Sequence, residues 1–260
     1  MQSNPVKDQN AKIVVRVNIP VLNLQKAIKV GPTDLIWTVK KQLEEKVRSE
    51  IKDILNYALF LHGQGEKQGK YLDERKSLGS YHVDSNSQLD FILKTRVNGE
   101  VQDVKKQRRI IEDIQKGNLD KLKEKTTKNV DFNFLLDQDT PLSLAVMNND
   151  PQMIEWLLDN GAFSDFRVGD KENWKAPIHL AALHNKALAL KVLLQYAAWP
   201  DILDALGLSA IHYAVTAGNS ECVLRLLLSK ADTEIFDEHG RRPLHQVTRY
   251  IQLIFIGSIE

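Results

Sequence analysis

Three histidines, His179, His212 and His245, recur at intervals of 33 residues, a spacing that first suggests a metal site. A shared ion would need each imidazole about 2 Å from one point. Packed helix layers stand about 10 Å apart, so imidazoles supplied by successive repeated units cannot converge on one ion. The expectation is that each hydrogen-bonds backbone between neighbouring units. His62, His82, His184 and His239 fall in predicted turns without ligand spacing. Cys222, the single cysteine, opens a predicted helix with no Cys-X-X-Cys partner and reads as a buried packing thiol rather than a nucleophile. Gly63-Gln-Gly65, with Gly69 beyond it, is followed by a strand-like segment, whereas a phosphate cradle needs a helix there. No Ser/His/Asp set has a nucleophile-elbow context. The chain is therefore read as non-enzymatic, with no catalytic residue, metal site or cofactor.

Binding chemistry is better supplied. Arg16, Lys26, Lys29, Lys40 and Lys41 fall close together along the first part of the chain and are expected on one side of a domain. The alternative is a solvated basic face that serves solubility alone. Lys105-Lys-Gln-Arg-Arg109 is a second basic cluster, read as a solvated helix start, with a lipid headgroup or nuclear-import site as the functional alternative. Phe166, Trp174, Trp199 and Phe236 are spaced through the second half and are expected exposed on turns as a protein-binding set. Each could instead pack beneath its own turn.

The elements that position these residues follow from pattern. Lys12 to Ile19 is β-branched and weakly alternating, Pro20 to Leu24 is a turn, and Gln25 to Val30 returns as a strand. A helix follows Pro32-Thr33, with Leu35, Val39, Leu43 and Val47 on its apolar face and Trp37 expected in the core. Tyr57 to Leu61, Lys70 to Asp73 and Gln88 to Leu93 supply further strands. This order predicts an α+β ubiquitin-like β-grasp domain over 12–97, behind a mobile tail at 1–11. Such domains can meet the acidic effector region of a GTP-loaded small GTPase through cations and a strand-to-strand contact.

Beyond a basic linker at 98–109, Thr140-Pro-Leu-Ser-Leu-Ala145, Ala176-Pro-Ile-His-Leu-Ala181, Ser209-Ala-Ile-His-Tyr-Ala214 and Arg242-Pro-Leu-His245 begin 36, 33 and 33 residues apart. That is the period of the ankyrin repeat, about 33 residues. An all-α ankyrin solenoid is predicted over 110–248: a degenerate cap marked by Gly117-Asn118, three repeats and a partial fourth. The first spacing places three extra residues in the finger Gly169 to Trp174. After Tyr250 the pattern breaks into Ile251-Gln-Leu-Ile-Phe-Ile256, so 249–260 reads as a non-repeat apolar tail and an aggregation hazard, as in a truncated or alternatively spliced product. A net charge of +1 argues against a nucleic-acid coat. One cysteine, a polar Met1 to Ala11 and no apolar run of about 20 residues suit a soluble cytoplasmic chain without a transmembrane segment.

Ile13 to Pro20, Trp37, Lys40, Leu55-Asn-Tyr-Ala-Leu-Phe60 and Gly69-Lys-Tyr-Leu-Asp-Glu74 together resemble the N-terminal region of the Shank (ProSAP) postsynaptic scaffolds. Pro141-Leu-Ser-Leu-Ala145 and Asp165-Phe-Arg167 continue the likeness, which covers roughly 12–248. The resemblance implies a scaffold whose ubiquitin-like domain binds GTP-loaded Ras or Rap, with the important cations at Arg16 and Lys26. It also implies cytoskeletal or signalling partners for the ankyrin array, which can fold back on the first domain, and a place at the synapse or cell cortex. The SH3, PDZ, proline-rich and SAM segments of that family are absent from this sequence.

Overall fold

The computed structural model describes residues 12–47, 51, 56–63, 69–94, 103–126, 130–169 and 174–245. The expected tails at 1–11 and 249–260, residues 98–102 of the linker and 170–173 of the enlarged finger lie outside the described residues. The chain forms two compact units, Met1–Lys94 and Thr95–Glu260.

In the first unit, β1 (Ile13–Ile19) alternates: Val15, Val17 and Ile19 are buried and Arg16 is exposed. A 3-10 turn at Pro20–Leu22 reverses the chain, and Asn23 closes it in the left-handed region at φ 51°. Asparagine tolerates that conformation because its short polar side chain can bond locally. β2 (Leu24–Val30) then pairs antiparallel with β1. With β3 (Tyr57–Leu61), β4 (Lys70–Tyr71) and β5 (Leu89–Leu93) the sheet runs β2-β1-β5-β3-β4, β1 and β5 being parallel. This is the ubiquitin-like arrangement. Gly69 enters β4 where a Cβ would fall 2.5 Å from the Phe60 ring, so any larger residue there would force that ring to move.

The helix α1 (Ile36–Val47) buries Ile36, Val39, Leu43 and Val47. Ile36 holds the place that the sequence pattern assigns to Leu35, which is 42% exposed. Trp37 is half-buried rather than a core residue. It points about 100° around the helix from Ile36, and Lys41 Nζ stands 4.8 Å above its ring.

The second unit consists of helix pairs: α2 (Val104–Gln115) with α3 (Leu119–Lys125), α4 (Pro141–Met147) with α5 (Pro151–Asp159), α6 (Pro177–Leu183) with α7 (Ala187–Gln195), and α8 (Ala210–Thr216) with α9 (Ser220–Leu228). Successive pairs stack through α2–α4–α6–α8 and α5–α7–α9. One apolar core runs along the stack from Ile110 to Ala231. The turn inside each pair places one residue in the left-handed region: Gly117, Asn149, Asn185 and Gly218. That common conformation explains the recurring Gly-Asn, Asn-Asp and Asn-Lys dipeptides, and it makes α2/α3 the first repeat. Asparagines of these turns reach the preceding pair, with Asn148 Nδ2 donating to Ile114 O at 2.9 Å and Asn219 Nδ2 to Ala182 O at 2.7 Å.

The repeating histidines join one repeat to the next. Ala176 N–H donates to His179 Nδ1 at 3.0 Å, so Nε2 carries the proton and donates to Ile202 O of the following finger at 2.8 Å. His212 repeats the pattern, accepting at Nδ1 from Ser209 N–H and pairing Nε2 with Arg241 O at 3.4 Å. Arg242 N–H donates to His245 Nδ1 at 3.1 Å, opening a fourth unit. The α4 unit uses Thr140 and Ser143 instead, each accepting from the other's amide. Cys222 is buried beside Ala181 O, and burial raises its thiol.

Burial pushes His179 down to about 4, only partly offset by the Asp204 carboxylate, and burial likewise lowers His212. The folded pKa lies below the unfolded value near 6.5, so the unfolded chain takes up the proton first as pH falls. The histidines' contribution to array stability is thus essentially complete above about pH 6.5 and is lost as pH falls towards 4. At pH 5 His179 alone costs on the order of 2 kcal/mol. Urea unfolding at pH 7 and pH 5 is expected to show this loss, and His179→Gln is expected to flatten it. An unchanged pH slope in the variant would contradict the assignment.

Candidate functional site

The strand register sorts the first domain's cations. Arg16 pairs with Ala27 and Val14 with Lys29, so Arg16 and Lys29 share the face away from α1. Lys26 pairs with the buried Val17 and therefore belongs to the α1 side. The single basic face expected from the sequence does not form, because strand alternation puts Arg16 and Lys26 on opposite sides. They flank a common feature instead: β2 is the terminal strand of the sheet, with the two groups on either side of its edge. On the α1 side, Lys46 Nζ donates to Ala27 O of β2 at 3.1 Å, and Lys41 lies half-buried against Trp37. Lys46 was missed by the sequence reading. Its position in the last turn of α1 marks it as a cation suited to a helix C-terminus, but its approach to β2 depends on the fold. Arg16, Lys26 and Lys29 have no ion-pair partner among the described residues.

Lys40 does not belong to this surface. It is fully buried, its Nζ 2.8 Å from Glu74 Oε1 and 4.0 Å from Glu44 Oε1, with Lys94 Nζ 3.9 Å from Glu74 Oε1. The stripe that α1 turns inward is Ile36, Val39, Lys40, Leu43, Glu44 and Val47, so Lys40 and Glu44 occupy positions of an apolar stripe. The segment that supplies Glu74 also receives the first amides of α1, Ile36 N–H donating to Lys76 O at 2.9 Å and Trp37 N–H to Glu74 O at 3.1 Å. These amides have no partner inside their own helix. The Lys-Tyr-Leu-Asp-Glu74 motif therefore both caps α1 and neutralises its buried lysine.

The finger aromatics also divide. Phe166 and Trp174 are buried, contrary to the expected exposed set. The cause is the pairing of Val168 with Lys175, two amide-to-carbonyl bonds of 2.9 Å, which closes the finger base and turns its neighbours inward. Arg167 is buried there too, donating from Nη2 to Leu203 O at 3.2 Å. Trp199 is half-buried against the array core. Phe236 alone of the four presents its ring, 53% exposed with the Arg242 guanidinium 4.9 Å above it.

The array holds a recess of about 390 Å³ lined by Asp137, Asp139, Val168, Lys175, Leu183 and His184. Burial raises the Asp139 carboxyl despite a bond from Ser143, and Asp137 adds repulsion. No sequence motif marked this recess, because its residues come from two fingers and a helix separated by nearly 50 positions. Among the described residues no group of three His, Cys, Asp or Glu side chains could hold a metal ion, and no helix is long and apolar enough to cross a membrane.

A β-grasp sheet with a terminal cationic strand, followed by a stacked helix-pair array, defines a ubiquitin-like plus ankyrin-repeat protein of the binding class. The chain belongs to the ankyrin-repeat family: residues 110–204 and 178–254 match the family model described as ankyrin repeats (3 copies). Residues 13–92 match the N-terminal or F0 domain of the talin-head FERM. Its homologues across both domains include human SH3 and multiple ankyrin repeat domains protein 2, 31% identical over 94% of this chain. Human SH3 and multiple ankyrin repeat domains protein 1 is also 31% identical, over 90% of the chain. The chain spans only 14% and 12% of those proteins' lengths. The mouse B-cell lymphoma 3 protein homolog is 36% identical over 40% of this chain and 24% of its own.

Replacing Lys40 by alanine is expected to leave Glu74 buried without its nearest cation and to destabilise the first domain by about 3 kcal/mol. The urea midpoint of that domain's transition measures this. An Arg16→Ala variant, altered at an exposed site, is expected to stay within about 0.5 kcal/mol of wild type. Equal effects of the two substitutions would contradict the division between core and surface cations.

Proposed function

We propose that this chain is a non-enzymatic scaffold module whose ubiquitin-like domain binds a GTP-loaded Ras- or Rap-type small GTPase along the β2 edge. The observation that carries the reading is the placement of β2: seven residues long, terminal in the sheet, with Arg16 and Lys29 on one side and Lys26, Lys41 and Lys46 on the other. An edge strand offers unpaired backbone groups to a partner strand, and flanking cations speed and orient docking onto an acidic surface. Lys40 has no part in it. The homology to SH3 and multiple ankyrin repeat domains proteins, over 14% and 12% of their lengths, supports an adaptor role. Action in the cytoplasm at a synapse or the cell cortex belongs to the same proposal.

The ankyrin array takes a separate partner, cytoskeletal or signalling. The recess, which sets Asp137, Asp139 and Lys175 beside apolar Val168 and Leu183, offers such a partner both polar and apolar groups. Under the competing reading the chain is a cytoskeletal or adhesion adaptor whose ankyrin fingers hold the principal partner, and the ubiquitin-like domain is autoinhibitory.

Calorimetry of the full chain against one GTPase, loaded in turn with GDP and with a GTP analogue, separates the readings. The GTP-analogue form is expected to bind at least tenfold more tightly, and Arg16→Glu with Lys26→Glu to weaken it at least tenfold. Equal affinity for both nucleotide states, or a silent double variant, would overturn the GTPase reading.

A further inference from the structure

The first helix pair of the array carries a charge that neither the stack nor the proposed GTPase contact uses. Residues 104–125 have a net charge of +4 in a chain whose total is +1. In α2 the side chains of Lys105, Arg108, Arg109, Glu112 and Lys116 fall on one face by helical spacing, opposite the buried Ile110, Ile111 and Ile114. Lys106 flanks that face. Lys105, Lys106, Arg108 and Arg109 are exposed and have no ion-pair partner among the described residues. Only Lys116 is answered on this face, by Glu112 at 3.7 Å.

Their position argues against a stabilising role. All four lie in the first two turns of α2, just after the N-cap Asp103, whose carboxylate accepts from Lys106 N–H at 2.8 Å. The helix dipole is positive at that end, so cations there repel it and one another. Residues chosen for helix stability would be acidic. Because α2 opens the array and packs chiefly on α3 and α4, the opposite face is left without a neighbouring repeat.

We infer that this face is a docking surface for an anionic lipid bilayer. The side chains of α2 favour this ligand over an acidic protein. Protein interfaces centre on aromatic and apolar anchors and are depleted of lysine, and here the only exposed apolar side chain is Val104 at the helix start. Flexible, unpaired lysine and arginine heads instead suit a fluid layer of phosphate and carboxylate groups, which needs no fixed geometry. A nucleic-acid site would call for interleaved aromatics that bases could stack on, and α2 has none. The surface is independent of the β2 edge.

Co-sedimentation of the full chain with vesicles, in the absence of any GTPase, tests the inference. Binding is expected to vesicles of phosphatidylcholine with about 30% phosphatidylserine, and not to phosphatidylcholine alone. Raising salt from about 0.1 M to 0.5 M is expected to reduce it at least tenfold, since exposed charges are then screened. The variant K105E/K106E/R108E/R109E is expected to lose binding at least tenfold while melting at or above the wild-type temperature, because glutamate suits a helix start. If that variant misfolds, the same four positions changed to glutamine provide the comparison. Failure to bind anionic vesicles, undiminished binding by a folded variant, equal binding to neutral vesicles, or capture by a DNA duplex in preference to vesicles would each overturn the inference.

Discussion

Lys40 Nζ and Glu74 Oε1 meet 2.8 Å apart beneath α1, and the ubiquitin-like domain is organised around that contact. A lone charge in this position would be costly to keep out of water. The ion pair holds the 74–76 segment against α1, where the same segment accepts the helix's first two amide hydrogens. α1 is thereby fixed over the sheet, and Lys46 at its far end can bond Ala27 of β2. A hydrophobic pair of similar volume could be as stable. What the ion pair adds is a defined register: only one rotation of α1 buries Lys40 against Glu74 while bringing Lys46 to Ala27 O of β2. The exposed edge and its cations follow from that rotation.

The array obeys a different rule. A helix pair buries one side against its neighbour and cannot stand alone, so what matters is the fidelity of each junction. His179 and His212 provide this by accepting an amide of their own helix start and donating to the next finger. The same buried geometry that makes them good connectors makes them unwilling to protonate. Array stability and acidity are therefore linked through the repeat motif itself. The last described pair carries an apolar groove along Val215, Val223, Leu224 and Leu227.

Much of this was legible in the sequence because it rests on period. Alternation gave β1, the 33-residue spacing gave the repeats, and the glycine or asparagine of each inner turn marked a left-handed backbone position. The cation surface was only partly legible. Arg16 and Lys26 are ten residues apart, and that count does not say which faces they occupy until the turn at Pro20–Leu22 sets the register. Lys40 was misplaced because lysine normally lies outside, although its spacing from Ile36 and Val39 put it on the inner stripe. Phe166 and Trp174 were misplaced because the finger closes on itself through Val168 and Lys175. The recess at Asp137 and Val168 was invisible, since it assembles residues that no local pattern connects.

The partner surface proposed for the first domain is the β2 edge. Hydrogen exchange of the full chain, alone and with a GTP-loaded Ras-type GTPase, tests it most directly because it reads backbone amides rather than affinity. Slowed exchange is expected in Leu24–Val30 and in the last turn of α1, with the fingers around Asp137 and Val168 unchanged. Protection confined to those fingers, with β2 exchanging as in the free protein, would contradict it.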